Sequence, residues 1–187
     1  MSETPDEPIE HFEHAHHAHE SRDPFLKRVA ITVVVLAVLA AFVGSLETLE
    51  SGAALSAKNE AVLLQDKATD QWNFFQAKSI KKNLYEVAGA LGPQGASEFG
   101  KNAQKNANDE EEIQKKAREL ENTSEDALRE SDRHETRHHW LTISATLLHI
   151  AIATATITIV AGGQRWLWYV ALVLGTAGTA VASGTYL

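Results

Sequence analysis

Hydrophobic positions gather in three blocks, and polar positions fill one long stretch between the first block and the second. The first block, LKRVAITVVVLAVLAAFVGSL, covers residues 26–46, and from Val29 to Leu46 it carries no charge. That length is near the ~20 residues a helix needs to cross the hydrocarbon of a bilayer. The second block, WLTISATLLHIAIATATITIVAGG, covers 140–163, and the third, WLWYVALVLGTAGTAVASGTYL, covers 166–187. Only Gln164 and Arg165 separate them, which predicts a tight turn. Trp140 opens the second block, and Trp166, Trp168 and Tyr169 open the third. Aromatic rings suit the membrane interface, where one end is apolar and the other wet. Three such blocks in so short a chain exceed what one soluble core could absorb, so we read three transmembrane helices. The first is too long for the apolar part of a cleaved signal peptide and reads as an uncleaved anchor. Arg22, Lys27 and Arg28 precede it, which places the N-terminus on the cytoplasmic side, although Arg129, Arg133 and Arg137 ahead of the second span pull the other way.

The polar stretch, 47–139, is rich in Ala, Glu, Lys, Gln and Asn. Its one proline, Pro93, stands in ALGPQG near the midpoint. A turn at 89–95 between two equal helices returns both ends to the same membrane surface, each arm rising about 65 Å. The pattern therefore predicts an antiparallel, coiled-coil-like helical hairpin. The returning arm supports it. Phe99, Ala103, Asn106, Glu110, Ile113, Ala117, Leu120, Ser124, Ala127, Ser131, His134 and His138 follow alternating steps of four and three. The register runs on through Leu141, Ala145, Leu148 and Ile152, which predicts one continuous helix into the second span. In such a hairpin the acidic run Asp109–Glu112 falls near the level of Lys78, Lys81 and Lys82.

One stretch, QWNFFQAKSIKKNLYE at 71–86, is too polar for a bilayer and too aromatic for water. On a helical wheel Ala77, Ile80, Leu84 and Val87 cluster on one side. Trp72 and Phe75 lie on a second, and Phe74 and Tyr85 on a third, beside Lys78 and Lys81. One partner helix covers a stripe only about 100° wide, and these residues span more. We therefore expect one face to meet the returning arm and another a neighbouring subunit, with Trp72, Phe74, Phe75, Ile80 and Tyr85 as the interface residues.

The residues W-x-F-F-Q-A-K-S-I-K-x-x-L-Y-E, Trp72 to Glu86, resemble the signature of the bacterial family DUF4337, a domain of unknown function. The resemblance extends over most of the chain: a His-containing N-terminus, one span, a long helical middle and two closing spans. It implies a protein of the bacterial inner membrane, and it implies no activity, substrate or catalytic residue; the cytoplasmic N-terminus read from the basic residues is what places the hairpin on the periplasmic side.

A net charge of −8 argues against nucleic acid as a partner, and the absence of cysteine excludes thiolate chemistry. Residues 1–25 form a His/Glu-rich tail whose His11, His14, His16, His17 and His19 alternate with carboxylates. Such donors can take a transition metal, but nothing fixes a tetrahedral set, so the expectation is a mobile or interfacial tail and no cofactor. The stretch His134-Glu135-Thr136-Arg137-His138 has the H-E-x-x-H form of metalloproteases. It lacks a third ligand and a surrounding cleft, and we read these histidines at headgroup level instead.

Within the second span Thr142, Thr146, His149, Ala153 and Thr156 share one face. That face either packs against other helices or lines a water-filled path. In the third span Ala171, Gly175, Thr179 and Ser183 recur every fourth residue, a spacing that lets helices approach closely. The sequence thus points to a non-enzymatic, homo-oligomeric membrane scaffold, with other membrane proteins as candidate partners. The alternative is an oligomeric pore lined by the Thr/His face.

Overall fold

The computed structural model describes residues 24–92 and 95–187. They form three α-helices: α1, Pro24–Leu91; α2, Ala96–Val160; and α3, Arg165–Gly184. No strand occurs among the described residues. Each helix contains a segment long and apolar enough to cross a membrane. Pro24 is the first residue of α1, where its missing N–H costs nothing. Among the described residues Pro24 is the only proline.

The helix ends fall at glycines. Gly95 precedes α2 at φ +86, a backbone conformation that favours a residue without Cβ. Its carbonyl accepts the N–H groups of Glu98 and Phe99, both at 3.0 Å, which starts the helix. Gly162 and Gly163 follow α2 at φ +72 and +81, and the Gly163 N–H donates to the Thr158 carbonyl at 2.9 Å. That left-handed reversal closes the helix end and allows the short turn into α3.

The described residues divide into two compact units: 24–48 with Arg137–Leu187, and Leu49–Thr136. In the first, Leu36, Ala40 and Val43 of α1 form a core with Leu141, Ala145, Leu148 and Ala151 of α2. A smaller cluster joins Val29, Ala155 and Ala171, one residue from each helix, with Trp168 and Phe25 packed against it. The Trp168 indole donates to the Thr32 hydroxyl at 3.1 Å. Ser144 donates to the Gly178 carbonyl at 2.7 Å, which requires α2 and α3 to run close together.

In the second unit, the register read on the returning segment is buried or half-buried at every position from Phe99 to His134. The first segment meets it with a register of its own in the same steps: Glu50, Ala54, Ala57, Ala61, Leu64, Ala68, then Gln71, Phe75, Lys78, Lys82, Tyr85 and Gly89, all buried or half-buried. Small residues dominate both sides at the middle. Ser131 donates to the Ala54 carbonyl at 2.9 Å and Ser124 to that of Ala61 at 2.8 Å. Farther along, Trp72 pairs with Glu121, Lys78 with Asp109 and Lys82 with Glu110. From Ala54 to Lys82 on α1, the partners on α2 run back from Ser131 to Asp109 and Glu110.

Candidate functional site

The aromatic stretch divides between two directions. Trp72, Phe75 and Tyr85 turn toward the second segment. The Trp72 indole donates to Glu121 Oε1 at 2.8 Å, and its ring meets Phe75 edge-on at 5.6 Å. Tyr85 stacks on Phe99 at 6.3 Å. Phe74 and Ile80 face outward, 52% and 67% exposed, and the Lys78 ammonium sits 5.4 Å from the Phe74 ring centre. The steps of four and three on α1 explain the division. Phe75 and Tyr85 fall on the register toward α2, and Trp72 lies at its edge. Ile80 lies on the far side.

Beside these rings the acidic run meets the lysines. Lys78 Nζ lies 2.7 Å from Asp109 Oδ2, and Lys82 Nζ 2.6 Å from Glu110 Oε2. The Lys78 bond holds the Asp109 carboxyl below its ordinary range, and the Lys82 bond does the same to Glu110. The reciprocal bond from Glu110 raises the Lys82 ammonium. Lys81 points to solvent.

In the first unit, Thr142, Thr146, His149, Ala153 and Thr156 are all exposed. The threonines are satisfied internally: Thr142, Thr146 and Thr156 each donate to the carbonyl four residues back, at 2.8 to 3.0 Å. Thr142 also lies 2.6 Å from Glu47 Oε1. The face therefore presents methyl groups and one imidazole. On α3 the buried positions are Ala171, Gly175 and Gly178, while Thr179 is half-buried and Ser183 exposed. A strict four-residue repeat drifts around a helix of 3.6 residues per turn. Contact with α1 and α2 therefore passes from Gly175 to Gly178, and Thr179 and Ser183 are left lining an open groove of about 480 Å³ with Ile31, Val35 and Leu39.

The histidines separate as well. His11, His14, His16, His17 and His19 lie outside the described residues, as does Pro93. His134 Nδ1 lies 2.5 Å from Glu50 Oε2, a carboxylate 8% exposed. His138 Nδ1 lies 3.3 Å from the Glu47 carbonyl, and Glu135 is exposed. Both imidazoles of the H-E-x-x-H stretch are thus engaged with α1. No cluster of three potential metal ligands occurs among the described residues. Glu50 and the alanines of the first segment escaped the sequence reading. Their steps of four and three were present, but with side chains too small or too polar to stand out.

A protein-family model described as a domain of unknown function, DUF4337, matches residues 25–187. No curated protein and no solved structure matches the chain.

Proposed function

The chain belongs to the DUF4337 family, and from its own geometry we propose a non-enzymatic, homo-oligomeric scaffold of the bacterial inner membrane. In this reading 26–46, 140–163 and 166–187 cross the bilayer. Residues 47–139 form an antiparallel coiled-coil hairpin on the periplasmic side, which presents its surface to other membrane proteins. The reading assigns no reaction and no cofactor.

One observation carries it. A segment apolar enough to cross a membrane leaves Thr142, Thr146, His149 and Thr156 uncovered by the chain's own helices. An imidazole in a span is costly against lipid and is normally turned toward protein or water. A helix from another copy supplies that cover, and the internally bonded threonines offer it a smooth surface. Native mass spectrometry of the protein in lipid nanodiscs tests this. The expected mass is a multiple of the chain, reduced in His149→Leu, and a monomer overturns it.

The exposed imidazole of His149 also favours a second reading, in which copies arrange this face around a water-filled path. Ion flux in liposomes that changes in His149→Ala would support the pore. A multimer without flux at any pH or voltage leaves the scaffold.

A further inference from the structure

Five positions on the outward side of α1, Ala77, Ile80, Leu84, Val87 and Leu91, repeat in alternating steps of three and four. They are out of phase with Phe75, Lys78, Lys82, Tyr85 and Gly89, the register that meets α2. All five are exposed, with Ile80, Leu84, Val87 and Leu91 at 67%, 65%, 56% and 83%. Alternating steps of three and four keep a stripe in line along a gently supercoiled helix, so these side chains make an apolar strip about 20 Å long.

The strip has the make-up of a packing seam rather than a solvated face. Its flanks are Gln76, Asn83 and Ala90 on one side and Phe74, Lys81 and Ala88 on the other, with a single charge among them. The same register about one to three turns earlier carries Asn73, Asp70 and Asp66. On the second segment, among the described residues from 99 to 136, Leu128 is the only large hydrophobic side chain exposed. Apart from Leu128, the exposed large apolar side chains of this unit lie on α1, where Asp66, Asp70 and Asn73 part the strip from Leu55, Val62 and Leu63.

We propose that this strip is a self-association seam: it packs against the same strip of a second copy, parallel and in register. The proposal rests on the oligomeric reading above and specifies where, outside the spans, two copies touch. Copies inserted alike in one bilayer carry the strip in the same direction, so each residue meets its own counterpart. In a parallel pair the two flanks face one another, which sets Lys81 against the Gln76 and Asn83 amides instead of against itself. The apolar area covered is roughly 400 Å² per copy, about 800 Å² for the pair, at the weak end of specific interfaces. Copies held together by their spans make the second contact at high effective concentration, so a weak seam is sufficient.

The chain has no cysteine, so single-cysteine variants need no cleared background. Full-length Ile80→Cys, Leu84→Cys and Val87→Cys are reconstituted in liposomes and oxidised with copper phenanthroline, with Lys105→Cys as the off-seam control. Disulfide dimers at 80, 84 and 87 forming at least about five-fold faster than at 105 are expected. Adding Leu84→Asp to Ile80→Cys is expected to remove that advantage while the helical circular dichroism is retained. A multimer that cross-links no faster at 80, 84 and 87 than at 105 overturns the seam and leaves the oligomeric reading standing. Cross-linking of Ile80→Cys with Leu91→Cys, but not with itself, overturns the parallel register. A monomer in nanodiscs overturns the oligomeric reading and the seam with it.

Discussion

Ser124 donates its hydroxyl to the main-chain carbonyl of Ala61 on the other segment of the Leu49–Thr136 unit, at 2.8 Å. A serine side chain is short, so the two helix backbones must lie close together here. Ala61, 2% exposed, permits this because it has no bulk beyond Cβ. Ser131 repeats the arrangement on Ala54. Ala61→Leu should then overpack the contact and cost about 1–3 kcal/mol. Ser124→Ala should cost less, about 0.5–1.5 kcal/mol, because the Ala61 carbonyl keeps its place in the helix. Trp72 is the only tryptophan between 49 and 136. Its fluorescence in a Trp140→Phe, Trp166→Phe, Trp168→Phe background reports unfolding of this unit, with the lower midpoint expected for Ala61→Leu.

Trp72 and Glu121 form a second measurable link, 2.8 Å between indole nitrogen and carboxylate. Trp72→Phe and Glu121→Ala should each lower the melting midpoint, followed by circular dichroism. The double variant should fall short of the sum, because each single change already removes the same bond. Full additivity would show that the bond contributes nothing to stability.

The paired carboxyls set the pH response of the same unit. Asp109 and Glu110 titrate lower in the folded chain than in the unfolded one. Their stabilisation is present above the unfolded carboxylate value and is lost as pH falls through the folded value. Lys82 titrates higher when folded, so its contribution is present below the unfolded amine value and is lost as pH rises through the folded one. Stability from these groups should be level from about pH 5 to about pH 10 and fall on either side. Glu110→Gln should be less stable than wild type at pH 7 and lose less between pH 7 and pH 3. Equal losses would show that Glu110 does not drive the acid limb.

Glycines of α3 should separate by what stands opposite them. A Cβ on Gly178 would lie 3.1 Å from the Ser144 carbonyl oxygen and from Leu148 Cγ, and backbone yields little. A Cβ on Gly175 would lie 2.5 Å from a methyl of Leu36, which can turn aside only within a buried cluster. Nothing stands within 4 Å of Gly184. Thermal stability in detergent should therefore fall in Gly178→Ala and Gly175→Ala and stay level in Gly184→Ala. A gain at Gly178, as helix propensity alone would give, would contradict the close approach.

Much of this architecture is legible in the pattern of residues, and the exceptions have a common cause. The register of the second segment could be read because Ile113, Ala117 and Leu120 mark it among charged neighbours. The matching register of the first segment was hidden. Its contact positions are Ala54, Ala57, Ala61 and Ala68, while the larger Leu55, Val62 and Leu63 face outward. Hydrophobic periodicity weighs residues by size, and close helix approach selects for the smallest. The aromatic stretch was misleading for a related reason. Its most conspicuous rings, Trp72 and Tyr85, are occupied within the chain by Glu121 and Phe99. The plainer Ile80 and Leu84 are the ones left uncovered. On α3 the fourfold repeat starts on Ala171 and Gly175, which are buried. It then lost phase, so Gly178 had to be found from the packing.

The matched steps of four and three on the two segments of Leu49–Thr136 have a consequence for scale. Every seventh residue on each side occupies an equivalent position. Removing seven residues from one segment, and the seven that face them from the other, brings the remaining contacts back into phase. The unit's own length can then change in increments of about 10 Å with every remaining contact kept. Its reach would be set by the number of heptads rather than by the identity of any residue within them.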